Sequence, residues 1–187
     1  MENKKLRLRD LNNKTRINFL FLATGLIGLS FSVDAGLFSN KFEAETQAEQ
    51  VAIKLHNETV EGGYKLIDTQ GLKTLIDSKK NVLIVDAMPY EASYKAEHIP
   101  AAAQFEFPIK PMPEWSTEGT EGKTQETFAR LLGADKSQTL VFYCGFVKCG
   151  RSHNAASWAV KMGYTDVYRY PGGIYAWKGA GFNTESD

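Results

Sequence analysis

Two segments of opposite character meet between Thr139 and Met162, and their junction restricts the folds open to this chain. Thr139-Leu140-Val141-Phe142-Tyr143 is apolar, β-branched and aromatic, and it is bounded by polar residues. It is too short for a helix, so it predicts a buried strand. From Asn154 to Met162, residues Ala155, Ala156, Trp158, Ala159, Val160 and Met162 are spaced for one face of a helix, with Gly163 placed as its C-terminal cap. The loop between them begins at Cys144, runs through Gly145, Phe146, Val147, Lys148, Cys149 and Gly150, and ends in Arg151-Ser152. A strand that delivers a cysteine into a loop at a helix N-terminus builds an anion site, because free N–H groups and the helix dipole both favour negative charge. The same field lowers a thiol pKa and makes the sulfur nucleophilic. A cysteine within Leu140–Tyr143 would simply pack. Cys144 instead sits where the strand gives way to Gly145, with Lys148 and Arg151 following, and is therefore read as reactive.

The remaining elements define the class. Tyr64–Ile67 predicts a short strand, and Thr69 is placed to cap a helix bearing Leu72, Leu75 and Ile76. Val82–Val85 is a second apolar run, ending at Asp86, as in a buried strand of a parallel sheet. Met88–Lys95 predicts a loop and short helix, Ala101–Phe107 a strand, Thr124–Leu132 a helix stopped at Gly133, and Asp166–Tyr170 the last strand before a short helix with Trp177. Strands alternating with helices predict a three-layer α/β domain over 64–187, its mostly parallel sheet flanked by helices and its ligands at the carboxyl ends of strands. Asp86, at such an end, is expected to support the site by ordering the following loop.

The N-terminal part differs. Lys4, Lys5, Arg7, Arg9, Lys14 and Arg16 precede an apolar segment from Ile17 to Val33, and Ala35 offers a small residue for cleavage. Residues 1–35 thus read as a signal peptide or an uncleaved N-terminal membrane anchor, and the body as exported and periplasmic. Residues 36–63 predict an amphipathic helical linker, packed on the domain and closed by Gly62-Gly63. Beyond residue 35 the chain carries 16 Lys/Arg and 19 Asp/Glu, a net −3 without a basic run, which argues against a nucleic-acid partner. The membrane is a partner only through the N-terminal segment. Two cysteines five residues apart make no disulfide framework.

Three motifs in order resemble the rhodanese family of sulfurtransferases. Val82–Asp86 with Tyr94-Lys95-Ala96-Glu97-His98-Ile99-Pro100-Ala101-Ala102 resembles its strand and "GHIPGA" segment, with Glu97 and Ala101 in place of glycines. Cys144 through Ser152 resembles its active-site loop, and Pro171-Gly172-Gly173-Ile174 with Ala176-Trp177-Lys178 and Gly181 its closing "GGxxAWxxAG" signature. The resemblance implies that Cys144 carries sulfane sulfur as a persulfide. It also implies that the backbone from Gly145 to Arg151 cradles a small sulfur-containing anion, that Arg151 closes the loop, and that a thiol or protein accepts the sulfur without a cofactor. Two features depart from the family: six residues rather than four separate Cys144 from Arg151, and Met88 stands where an arginine often follows the strand-end aspartate.

Rival chemistries use the same residues. A phosphatase-type loop needs C-x5-R, whereas Cys144 to Arg151 is C-x6-R. Cys144, Cys149 and His153 lack the paired spacing and fourth ligand of a zinc site, so no metal is expected. Cys149 is a candidate resolving thiol or a spectator. The alternatives to sulfur transfer are a non-catalytic binding module and a Cys144/Cys149 dithiol redox protein.

Overall fold

The computed structural model describes residues 35–78 and 81–187. The expected signal or anchor therefore lies outside the described residues, apart from Ala35. Among the described residues no helix is long and apolar enough to cross a membrane. The first helix, α1, spans Ala35–Gly62. Five strands follow: β1 (Lys65–Leu66), β2 (Val82–Asp86), β3 (Ala103–Gln104), β4 (Thr139–Tyr143) and β5 (Val167–Tyr170). Between and after them lie α2 (Thr69–Asp77), a single π-helical turn (Tyr90–Tyr94), a short 3₁₀ turn (Glu118–Thr120), α3 (Gln125–Leu132), α4 (Arg151–Lys161) and α5 (Gly173–Gly179). All strand pairs are parallel, in the order β1-β5-β4-β2-β3.

Alternation along the central strands sends side chains to opposite faces and creates two cores. Leu140 and Phe142 of β4, with Val85 and Val167, pack against Phe128 and Leu132 of α3 and Ala155, Ala156 and Ala159 of α4. Val141 and Tyr143, with Ile84 and Tyr170, pack against Leu72 of α2 and Ile174 and Trp177 of α5. This is the three-layer α/β arrangement read from the sequence.

Several boundaries differ from expectation. Asp68, not Thr69, caps α2, its carboxylate accepting from Gly71 N at 2.7 Å. The strand expected over Ala101–Phe107 contracts to Ala103–Gln104 at the sheet edge, and the chain beyond it keeps only single bonds, Phe105 N to Asp86 O and Phe107 N to Ala87 O. The last strand begins at Val167 because Asp166 turns its carboxylate to Lys65 and Thr139. The linker is one helix whose C-terminal half packs on α4: a Cβ at Gly62 would lie 2.6 Å from Ser157 Oγ. Helix α4 starts three residues earlier than its apolar periodicity indicates, at Arg151.

Candidate functional site

β4 ends at Tyr143, and the chain turns at once into the loop that leads to α4. Parallel pairing with β2 places Asp86 beside Tyr143, and the strand end is closed by Ala87 N donating to Tyr143 O at 2.8 Å. The next two carbonyls, of Cys144 and Gly145, accept from Ile174 N and Tyr175 N at 3.0 and 3.1 Å. Gly173 makes this approach possible. It has φ +59, and a Cβ there would lie 2.1 Å from the Cys144 carbonyl oxygen. On the far side of the loop, a Cβ at Gly150 would lie 2.3 Å from Ile109 O. The loop is therefore gripped at both ends by backbone, and both grips need glycine.

Cys144 and Cys149 are both free thiols and both buried. Cys144 Sγ lies 3.1 Å from Ser152 Oγ and 3.6 Å from the Cys149 carbonyl. Burial, then the hydrogen bond and charge of Cys149, push the Cys144 thiol up, against the opposing Ser152 hydroxyl and N–H. Cys149 is lowered to about 6, first by the hydrogen bond from Cys144, and further by the N–H groups of Arg151 and Gly145 and the Arg151 charge. The two thiols titrate as a coupled pair in which Cys149 ionises first. The lowered pKa expected at Cys144 falls instead on Cys149, because burial outweighs the loop donors at Cys144.

The other expected residues divide into framework and rim. Arg151 donates to Glu106 Oε1 at 2.9 Å and to Phe107 O, so its fork ties the helix start to the segment after β3. Lys148 is exposed, and its carbonyl accepts from Lys54 Nζ of α1 at 3.0 Å. Phe146 and Tyr175 are exposed with ring centroids 5.5 Å apart, forming an aromatic lip; Val147 is half-buried and Gly145 buried. Asp86 accepts from Met88 N at 2.9 Å, the loop-ordering role expected of it, and burial pushes its carboxyl up to about 6. His153, in the first turn of α4, is buried and hydrogen-bonded, its Nδ1 2.9 Å from Tyr64 Oη. Among the described residues no three His, Cys, Asp or Glu side chains group to hold a metal ion.

Sequence reasoning missed Arg169. Its side chain is fully buried beneath the loop. Its Nε donates to Ser152 Oγ at 3.0 Å, its terminal nitrogens to the Cys149 carbonyl at 2.9 Å, to Tyr64 Oη at 3.2 Å and to Glu58 Oε2 at 2.5 Å. The available signal was an arginine at an inward position of β5, between Tyr168 and Tyr170, where strand alternation calls for an apolar residue.

The rhodanese-like domain family matches residues 68–180, more than half of the chain. The chain belongs to the rhodanese-like domain family. The solved structures agree at the level of fold. A protein of Bacillus halodurans is 19% identical with a TM-score of 0.51, over 72% of this chain and 86% of its own. The thiosulfate sulfurtransferase of Pseudomonas aeruginosa is 17% identical with a TM-score of 0.52, over 71% of this chain but 22% of its own. The polysulfide-sulfur transferase homodimer of Wolinella succinogenes is 12% identical with a TM-score of 0.50, over 79% of this chain and 92% of its own. No curated protein matches. The Cys144–Arg151 loop is thus the strand-to-helix loop of a rhodanese-like domain, a fold used for sulfur transfer and also by members without catalysis.

Proposed function

We propose that this rhodanese-like domain is a sulfurtransferase whose loop carries sulfane sulfur as a persulfide on Cys144, taken from a thiosulfate- or polysulfide-type donor and passed to a thiol or protein acceptor. The observation that carries the reading is the pair of free thiols at a strand end, with Cys144 hydrogen-bonded to Ser152 and Cys149 lowered to about 6. At neutral pH such a pair holds one thiolate, the nucleophilic form of cysteine. As Cys144 attacks the outer sulfur of thiosulfate, its proton passes to Cys149. A sulfur–sulfur bond forms to Cys144, and sulfite leaves with the electron pair of the bond that breaks. The resulting persulfide is anionic, and the Ser152 hydroxyl and nearby loop N–H groups support that charge. An acceptor thiolate then takes the outer sulfur and returns Cys144 to the thiolate, with no cofactor consumed.

A second reading, a dithiol redox protein, draws on the two free, buried thiols placed in one loop, with Cys144 Sγ 3.6 Å from the Cys149 carbonyl. The two differ in their products. The sulfurtransferase should release sulfite from thiosulfate over many turnovers when an acceptor thiol is added, and finish with both protein thiols free. The redox protein should release none from thiosulfate but should reduce an added disulfide substrate to two thiols, ending itself as the Cys144–Cys149 disulfide. Absence of sulfite from thiosulfate, together with no sulfur taken up from polysulfide, would refute the first reading. Export, expected from residues 1–35, belongs to the same proposal; the mass of the mature N-terminus tests it.

A further inference from the structure

Beneath the loop a buried guanidinium is placed to favour negative charge on the sulfurs above it. Arg169 is fully buried and meets one carboxylate, Glu58, which also holds Lys54 Nζ at 3.2 Å. Glu58 is ionised: burial would raise its pKa, but Arg169 and Lys54 hold it below the usual carboxylate range. Glu58 is thus shared between the buried Arg169 and the half-exposed Lys54, while Arg151 is paired with Glu106. The hydrogen bonds point the same way. Ser152 Oγ accepts from Arg169 Nε–H at 3.0 Å and from the Cys144 thiol at 3.1 Å; once Cys144 is ionised, the Ser152 hydroxyl, its oxygen still held by Arg169, donates its hydrogen to that sulfur. Ser152 is itself fully buried, so no solvent competes for that hydrogen.

We propose that Arg169 is a positioning residue for the sulfur carrier: acting through Ser152 Oγ and the Cys149 carbonyl, it stabilises anionic sulfur on Cys144, and Glu58 of α1 sets how much of its charge the sulfur feels. The proposal rests on reading the loop as a sulfur-handling site. The other ionisable groups around it are Lys54 and Glu61 of α1, Tyr64, Asp86 of β2, Glu106, Lys148, Cys149 and Arg151 of the loop, and His153 of α4. Of these, Tyr64 and His153 are kept neutral by burial, which raises the phenol and lowers the imidazole. The consequence is that α1 helps to set the reactivity of a cysteine it does not touch.

The test is the ionisation of Cys144, followed as its Cβ chemical shift against pH in isotopically labelled full-length protein, with signals assigned from Cys144→Ser and Cys149→Ser. Ser152→Ala should raise the Cys144 midpoint by about one pH unit, a tenfold loss of thiolate below it. It should move Cys149 less. Arg169→Lys, which keeps the charge but not the four directed bonds, should also raise it. Glu58→Gln should lower the Cys144 midpoint by about half a unit, since it leaves the guanidinium less neutralised. A purely structural role predicts the opposite for Glu58→Gln: a loosened loop, a midpoint unchanged or raised, and only lower stability. That result, or a wild-type midpoint in folded Ser152→Ala, overturns the proposal. If Arg169→Lys fails to fold, the other two variants decide. The titration uses no sulfur donor, so the sulfurtransferase reading can fail while this one stands, and the reverse.

Discussion

Replacing Gly173 by alanine should damage the site from outside the loop. Three effects add. Alanine at φ +59 costs about 1 kcal/mol in the left-handed region. The new Cβ, placed 2.1 Å from the Cys144 carbonyl oxygen, forces α5 away from the loop. That movement breaks the bonds from Ile174 N and Tyr175 N to the Cys144 and Gly145 carbonyls, each worth about 1 kcal/mol. The total is about 3 kcal/mol, or about 10 °C in Tm for a domain of this size. Gly179→Ala is the control: it lies on the same helix, and a Cβ there meets nothing within 4 Å. Thermal unfolding by circular dichroism, paired with sulfur loading, measures both consequences. Gly173→Ala should lose stability and loading together, and Gly179→Ala should keep both. Equal Tm values for Gly173→Ala and wild type would refute the argument that this glycine sets the loop.

Asp86 makes stability depend on pH. Its folded pKa of about 6 lies above the ordinary 3.8, so the folded state prefers the protonated acid. The stabilisation is full below about pH 4 and is lost as pH rises through about 6, a decline of up to about 3 kcal/mol. Urea unfolding across that window should show the decline in wild type and a flatter profile in Asp86→Asn. At the loop, Arg151→Ala should weaken donor use more than Lys148→Ala, since Arg151 anchors to Glu106 and Phe107 O while Lys148 is an exposed rim charge. Initial rates across donor concentrations, with Tm beside them, check this: only Arg151→Ala should also lower Tm.

What the sequence displayed was whatever local pattern controls. The apolar runs at Val82–Val85 and Thr139–Tyr143 are strands because each is buried on both faces, and Cys144 stands at a strand end for the same reason. Local pattern failed where distant partners decide. Ser152, His153 and Asn154 look like a polar lead-in to a helix, yet all three are buried inside α4. Their partners lie far along the chain: Arg169 for Ser152, Tyr64 for His153, and the Pro108 and Lys110 carbonyls for Asn154. Arg169 was invisible as part of the site because Glu58, its counter-ion, comes 111 residues earlier, in what reads as a linker. Which cysteine ionises first was also out of reach, since it depends on the burial of each sulfur and on which N–H groups the loop aims at it.

Whether the loop carries sulfur, and on which cysteine, is decided most directly by intact mass. The reduced protein is incubated with thiosulfate or polysulfide, desalted and weighed, alongside Cys144→Ser and Cys149→Ser. The account predicts a gain of one sulfur atom, removable by added thiol, for wild type and Cys149→Ser, and none for Cys144→Ser. Loading of Cys144→Ser to the wild-type extent would contradict it by moving the carrier to Cys149, and a wild type that gains no sulfur from either donor would remove the sulfurtransferase reading altogether.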